Sequence, residues 1–290
     1  MFAKKHSLNN ILTICICGSG TMGTGIAQVS AQSGFHTIVY DVAQSYLDAC
    51  KTKIEKILET LFEKGKITEQ QMKETLQRLH FTTNIDDCKA GLIIEAIIEN
   101  KDAKISLFKK LEAINDDDTI FATNTSSIFV HEIAQALRNP DHVAGMHFFN
   151  PAPLLKLVEI IRSENTSDTT INELVSVAQQ MNKTPVICKD APGFIVNRVA
   201  RNYYLEALYL LENEDVTVAE IDTIMEASGF RMGPFKLMDL IGIDINYATS
   251  NIVWSALDKP ARLKPSALQK SKVDKNELGK KTGKGFYTYS

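Results

Sequence analysis

Between Ile11 and Asp41 the chain reads ILTICICGSGTMGTGIAQVSAQSGFHTIVYD, and no other stretch restricts the possible folds as tightly. An apolar run, Ile11 to Cys17, ends in a glycine-spaced turn, Gly18-Ser19-Gly20-Thr21-Met22-Gly23. A helical segment runs from Thr24 to Ser33 and stops at Gly34. A second apolar run, Thr37 to Tyr40, then closes on Asp41. Strand, glycine turn, helix, strand and acid in this order make the pattern of a dinucleotide site. Gly18 permits the tight turn, Gly20 lets the backbone approach a pyrophosphate, and Gly23 lets the helix pack closely on the strand. Thr21 and Met22 lie in this turn, and the N-terminal N–H groups and positive dipole end of the helix that follows suit phosphate. Asp41 lies about 20 residues past the turn, where a carboxylate accepts ribose hydroxyls and repels a 2′-phosphate, so NAD is favoured over NADP.

With 290 residues the chain is long enough for two domains and a sizeable core. Its formal net charge of -3 argues against a bulk nucleic-acid binder. No apolar run approaches the roughly 20 residues of a membrane span. The N-terminal MFAKKHSLNN is polar and shows no export signal, so a cytoplasmic protein is expected. The five cysteines, Cys15, Cys17, Cys50, Cys88 and Cys188, are odd in number and scattered, which suits a reducing compartment. Cys15 and Cys17 share one face of a strand, and no second pair follows at zinc spacing. They read as small buried hydrophobes, and no metal site is expected.

After Asp41 the periodicity becomes helical. Leu47, Cys50, Ile54, Ile57 and Leu61 form a stripe that stops at Gly65. Thr68 to Gln71 reads as a capping box, with Met72, Leu76 and Leu79 on one face behind it. Residues 45–80 are therefore expected to be a helical hairpin inserted into an α/β domain. Short apolar runs then recur at Leu92 to Ile98, Thr119 to Ala122, Val143 to Phe149 and Leu155 to Ile161, as in buried parallel strands. Helical segments from Lys101 to Ile114 and His131 to Leu137 alternate with them, and Pro185 to Cys188 supplies a last strand. This alternation predicts a Rossmann-type doubly wound sheet over residues 1–189. From Gly193 the pattern is helical almost to the end: Gly193 to Glu214, a segment capped at Thr217, and Leu237 to Leu257. Residues 190–290 thus form an all-α C-terminal domain, whose tail from Leu278 to Tyr289 reads as a turn and a short extended end.

His147 stands at the end of an apolar strand, before a proline-rich loop, where doubly wound sheets bind their ligands. Glu159 follows twelve residues later inside LKLVEII, and a lone carboxylate in such a run needs a partner. An imidazole suits it, and the pair suits a reaction that moves a hydroxyl proton together with a hydride. The other histidines (His6, His36, His80, His131 and His142) lie in polar contexts and read as surface residues. Asn124-Thr125-Ser126-Ser127 also follows a strand end, where hydroxyls either cap the next helix or bind a ligand. Asn197, in an apolar setting, reads by itself as core with a local bond.

Together, GSGTMGTGIAQ (Gly18 to Gln28), EAIIEN (Glu95 to Asn100), NTSS (Asn124 to Ser127), HFFNP (His147 to Pro151), APGFIVNR (Ala191 to Arg198) and GKKTGKGFY (Gly279 to Tyr287) resemble the L-3-hydroxyacyl-CoA dehydrogenase family, closest to its bacterial 3-hydroxybutyryl-CoA dehydrogenases. The resemblance implies an NAD-dependent, reversible oxidation of a 3-hydroxyacyl-CoA thioester to the 3-keto form, within fatty-acid or butanoate metabolism. It implies His147 as general acid/base, Glu159 as its orienting partner, and Ser126 and Asn197 as groups holding the acyl portion and its reacting oxygen. Glu99, Lys104, Asn150 and Lys281 fall where the family contacts NAD, Ser126 also stands near the cofactor, and Lys64 lies near a family lysine that recruits coenzyme A. A homodimer formed through the C-terminal domain is implied as well. Ala152 replaces a commoner valine, near the expected acyl path. The alternatives are a dehydrogenase of a free hydroxy acid, as in gulonate and crystallin-like relatives, and a non-catalytic NAD-binding protein.

Overall fold

The computed structural model describes residues 11–289; the polar leader and His6 lie outside the described residues. The chain divides into two compact units, one ending at Asp190 and one beginning at Ala191.

The first unit is an eight-stranded sheet with helices between its strands. In chain order its elements are β1 (Thr13–Cys17), α1 (Thr21–Gln32), β2 (His36–Tyr40), α2 (Gln44–Glu63), α3 (Glu69–Gln77), β3 (Leu79–Thr82) and β4 (Leu92–Glu95). They continue as α4 (Lys101–Glu112), β5 (Ile120–Thr123), α5 (Val130–Ala134), β6 (Val143–Phe148), β7 (Leu157–Arg162), α6 (Asp168–Gln180) and β8 (Thr184–Lys189). Strand order is β3-β2-β1-β4-β5-β6-β7-β8, so the winding reverses between β1 and β4, the switch point of a Rossmann-type sheet. Ile14, Ile16, Ile94, Ala122, Met146 and Ile160 from the strands pack with Ile26, Leu47, Ile54 and Leu174 from the helices in one core.

Three features depart from expectation. The hairpin ends at Gln77, and Leu79 and His80 belong to β3, which pairs parallel to β2 with Thr37 opposite Leu79. Leu79 fits the helical spacing of Met72 and Leu76, but ladder bonds to β2 win it for the sheet. Second, β7 runs antiparallel to β6 rather than parallel. Only a short loop joins them, and a parallel return needs a crossover of about a dozen residues or more. Third, α6 fills the interval before β8, capped by Ser167 and burying Ile171, Leu174, Val177 and Ala178. It is the crossover that lets β8 run parallel to β7.

The second unit consists of helices α7 (Val196–Asn213), α8 (Val218–Ala227), α9 (Pro234–Ile241), α10 (Ile243–Ala256) and α11 (Ala267–Asp274). Tyr204, Leu208, Phe235, Met238, Ile243 and Val253 form its core. The expected single segment from Leu237 to Leu257 is two helices, because Gly242 takes a φ of 107° between them. Two buried carboxylates hold the tail. Asp239 accepts from the Phe286 and Tyr287 N–H groups and the Tyr289 hydroxyl, and Asp222 accepts from the Tyr287 hydroxyl.

Candidate active site

Because β1, β2, β4, β5 and β6 run parallel, their carboxyl ends share one edge of the sheet. The segments that follow them are the glycine turn, Asp41, Glu99, the Asn124–Ser127 turn and Asn150, and His147 is the penultimate residue of β6. Sheet topology thus brings together most of the residues that the sequence singles out.

The glycine turn separates its three glycines by purpose. A Cβ on Gly18, whose φ is 100°, would sit 2.7 Å from the Ala96 carbonyl oxygen. One on Gly23 would lie 1.7 Å from the Gly18 carbonyl oxygen. Both positions exclude side chains because backbone lies against backbone. Gly20 meets nothing within 4 Å, so its backbone faces open space at the start of α1. No acidic residue stands in the first turn of that helix, and its positive end is uncompensated from within. Asp41 is pinned toward the turn: its Oδ2 accepts from both the N–H and the hydroxyl of Ser19 at 2.8 Å. An open Gly20, a bare helix N-terminus and a fixed carboxylate fit the pyrophosphate and ribose of NAD.

The imidazole and the carboxylate meet across the β6–β7 ladder, where His147 is directly opposite Glu159. Residues opposed in this way project from the same face of the sheet. His147 Nδ1 lies 2.9 Å from Glu159 Oε2, with His147 6% and Glu159 1% exposed. An ionised carboxylate only accepts, so Nδ1 carries the proton and Nε2 is the basic nitrogen of the ring. The Phe149 ring stands 4.6 Å from the imidazole, centroid to centroid. Asn124 ties the neighbouring strand end to this one, its Oδ1 accepting from Phe148 N–H at 2.8 Å.

The hydroxyls of the Asn124–Ser127 turn converge on Glu99, the Ser126 hydroxyl at 3.4 Å. Thr125 Oγ1, Ser126 N–H and Ser127 Oγ all donate to Glu99 Oε1, at 2.6, 3.0 and 2.9 Å. Glu99 Oε2 meets Lys104 Nζ at 3.2 Å. Burial pulls the Glu99 pKa up, but Lys104 and these donors outweigh it and hold the group below its ordinary range. Lys104 is buried, and its ammonium also lies 2.6 Å from Glu95 Oε1. Glu95 is not among the residues singled out from the sequence. It carries the same signal as Glu159, a carboxylate inside an apolar run.

Other residues lie elsewhere. Lys64 is the exposed C-cap of α2; a groove of about 320 Å³ between α2, α3 and β3 is lined by Lys51, Glu55, Leu76, Gln77, Leu79 and Phe81. Asn197 is half-buried in the first turn of α7, its carbonyl accepting from Arg201 Nε at 3.0 Å. Lys281 Nζ contacts both oxygens of Asp244, at 2.6 and 2.7 Å. His131 is not a plain surface residue, since its Nδ1 lies 2.9 Å from the buried Asp190, which also accepts from the N–H groups opening α5. Ala152 is 2% exposed, and its Cβ would lie 3.2 Å from a Cβ on Gly25. It therefore packs on α1 in the core. The cysteines are buried free thiols, and no cluster fit to hold a metal ion occurs among the described residues.

Fold and site together define a dinucleotide-binding oxidoreductase. Residues 13–191 match the family model for the 3-hydroxyacyl-CoA dehydrogenase NAD binding domain, and residues 193–289 match that for the C-terminal domain. The chain belongs to the 3-hydroxyacyl-CoA dehydrogenase family. It is 42% identical to a probable 3-hydroxybutyryl-CoA dehydrogenase of Deinococcus radiodurans, over 94% of this chain and 99% of that protein. The structure of (S)-3-hydroxybutyryl-CoA dehydrogenase from Ralstonia eutropha superposes with a TM-score of 0.93 at 35% identity, covering 97% of this chain and 100% of that one. That of the Escherichia coli 3-hydroxybutyryl-CoA dehydrogenase gives a TM-score of 0.95 at 40% identity, over 97% of this chain but 60% of the longer E. coli chain.

Proposed function

We propose that this protein is an NAD-dependent 3-hydroxyacyl-CoA dehydrogenase acting on short acyl chains such as 3-hydroxybutyryl-CoA. The observation that carries the reading is the buried His147–Glu159 pair at the carboxyl edge of a sheet that bears a dinucleotide turn. When bound, NAD supplies the hydride acceptor. His147 Nε2 takes the proton of the 3-hydroxyl group, and Glu159 stabilises the imidazolium that results. In reverse, the imidazolium returns that proton to the keto oxygen. Ser126 donates a hydrogen bond to the reacting oxygen, which strengthens as charge builds on it, and Asn197 is a polar group for the acyl portion. Asp41 selects the unphosphorylated ribose, while Gly18, Gly20, Thr21, Met22 and Gly23 receive the pyrophosphate. Glu99, Lys104, Asn150 and Lys281 complete the cofactor surroundings, Lys104 by holding Glu99. Lys64 meets the coenzyme A moiety. Two copies associate through the C-terminal unit, and the five free thiols suit a cytoplasmic setting.

The test is NADH consumption with acetoacetyl-CoA beside free acetoacetate. Turnover of the thioester alone supports the reading. Turnover of the free acid, or of neither, overturns it.

A further inference from the structure

We propose that Glu95 is a positioning residue for this reaction, acting through Lys104 and Glu99 to hold Ser126 at the carboxyl edge of the sheet. The proposal rests on the role given to Ser126 above. Glu95 is the last residue of β4 and is wholly inaccessible to solvent. Its Oε1 accepts from Lys104 Nζ at 2.6 Å and from Ile97 N–H at 2.8 Å, and its Oε2 accepts from Thr123 Oγ1 at 2.7 Å. All three donors belong to the scaffold, and no surface of Glu95 is open to a ligand.

A buried ion pair is poor evidence of a stabilising device, because desolvation offsets much of its attraction. What the arrangement does is divide one ammonium between two carboxylates. Lys104 stands 2.6 Å from Glu95 but 3.2 Å from Glu99, and it reaches only the Oε2 of Glu99. Glu99 Oε1 is thereby left to Thr125, Ser126 and Ser127, which fixes the turn. Without the Glu95 carboxylate, Lys104 is drawn wholly to Glu99 and competes with the turn for Oε1. The same carboxylate shapes the Glu95–Ile97 bend, whose Ala96 carbonyl fills the space beside Gly18. Glu95 therefore braces both the cofactor turn and the Ser126 turn without facing either ligand.

The experiment compares Glu95→Gln with the parent protein, each with Ser126 intact and with Ser126→Ala. Amide exchange over residues 124–128 is followed beside kcat. Exchange is expected to speed up roughly ten-fold in that segment, with α7 and α10 unchanged. The kcat is expected to fall about ten-fold with Ser126 present and less than about two-fold with Ser126→Ala, the non-additivity of residues acting in series. Unchanged exchange at 124–128, or an equal loss of kcat in both backgrounds, overturns the proposal. If Ser126→Ala alone keeps full turnover, the role of Ser126 fails instead, and exchange alone decides whether Glu95 holds the turn. Glu95→Asp keeps the charge for Lys104 at a shorter reach and is expected to show the same pattern at smaller amplitude. Should Glu95→Gln not fold, unchanged exchange in Glu95→Asp is the overturning result.

Discussion

His147 and Glu159 are twelve positions apart, and a single ladder register makes them neighbours. Removing the imidazole takes away the group that moves the proton. His147→Ala should therefore lower kcat by roughly 10²- to 10⁴-fold while NAD titrated by fluorescence binds as before. Near-normal turnover would refute the assignment. Asp41→Ser should raise NADP efficiency relative to NAD, as a steady-state comparison of the two cofactors reads out. An unchanged ratio would remove Asp41 from ribose recognition. Glu99 allows a prediction with a definite sign. Its folded pKa lies below the ordinary carboxylate range, so its contribution to order in the Ser126 turn is present above that range. As pH falls through the depressed pKa, that contribution is lost. The protection factor of the Ser126 amide, taken against the intrinsic exchange rate at each pH, should fall on acidification below the ordinary carboxylate range, and Glu99→Gln should abolish this dependence. A pH profile shared by the variant would show that another group is responsible.

At the scale of elements, most of what forms locally could be read from local pattern. The box at Thr68 is present in full, with Gln71 N–H donating to Thr68 Oγ1 and Thr68 N–H donating to Gln71 Oε1. Thr217 and Glu220 repeat it on α8. Thr68→Ala should cost about 1 kcal/mol, and the thermal midpoint should fall by a few degrees. No shift would mean that the hairpin end is frayed in solution. The misread elements share one cause, since tertiary partners decided them. β3 exists because β2 offers it an edge, and its Leu79 would equally have suited α3. β7 reverses because the Phe149–Lys156 connection is too short for a crossover, a matter of connectivity that composition does not encode.

For the whole molecule, the proposed homodimer has exposed apolar side chains of the C-terminal unit to cover, among them Val199, Tyr209, Ile224, Phe230, Leu240, Ile245 and Ile252. Sedimentation equilibrium should return twice the mass of the chain, and a monomer at micromolar concentration would reject the homodimer.

The sequence by itself determined the glycine turn, its acid, the alternation of strand and helix and the candidate chemistry of His147. These depend on neighbours close along the chain, where backbone geometry and periodicity act directly. Only the tertiary structure decided that β7 turns back to set Glu159 against His147. It alone decided that the turn hydroxyls serve Glu99, that Lys104 is buried between two carboxylates, and that Ala152 packs on α1. Each of these joins residues far apart in sequence, and their meeting is fixed by strand order and by the cost of burying a charge without a partner.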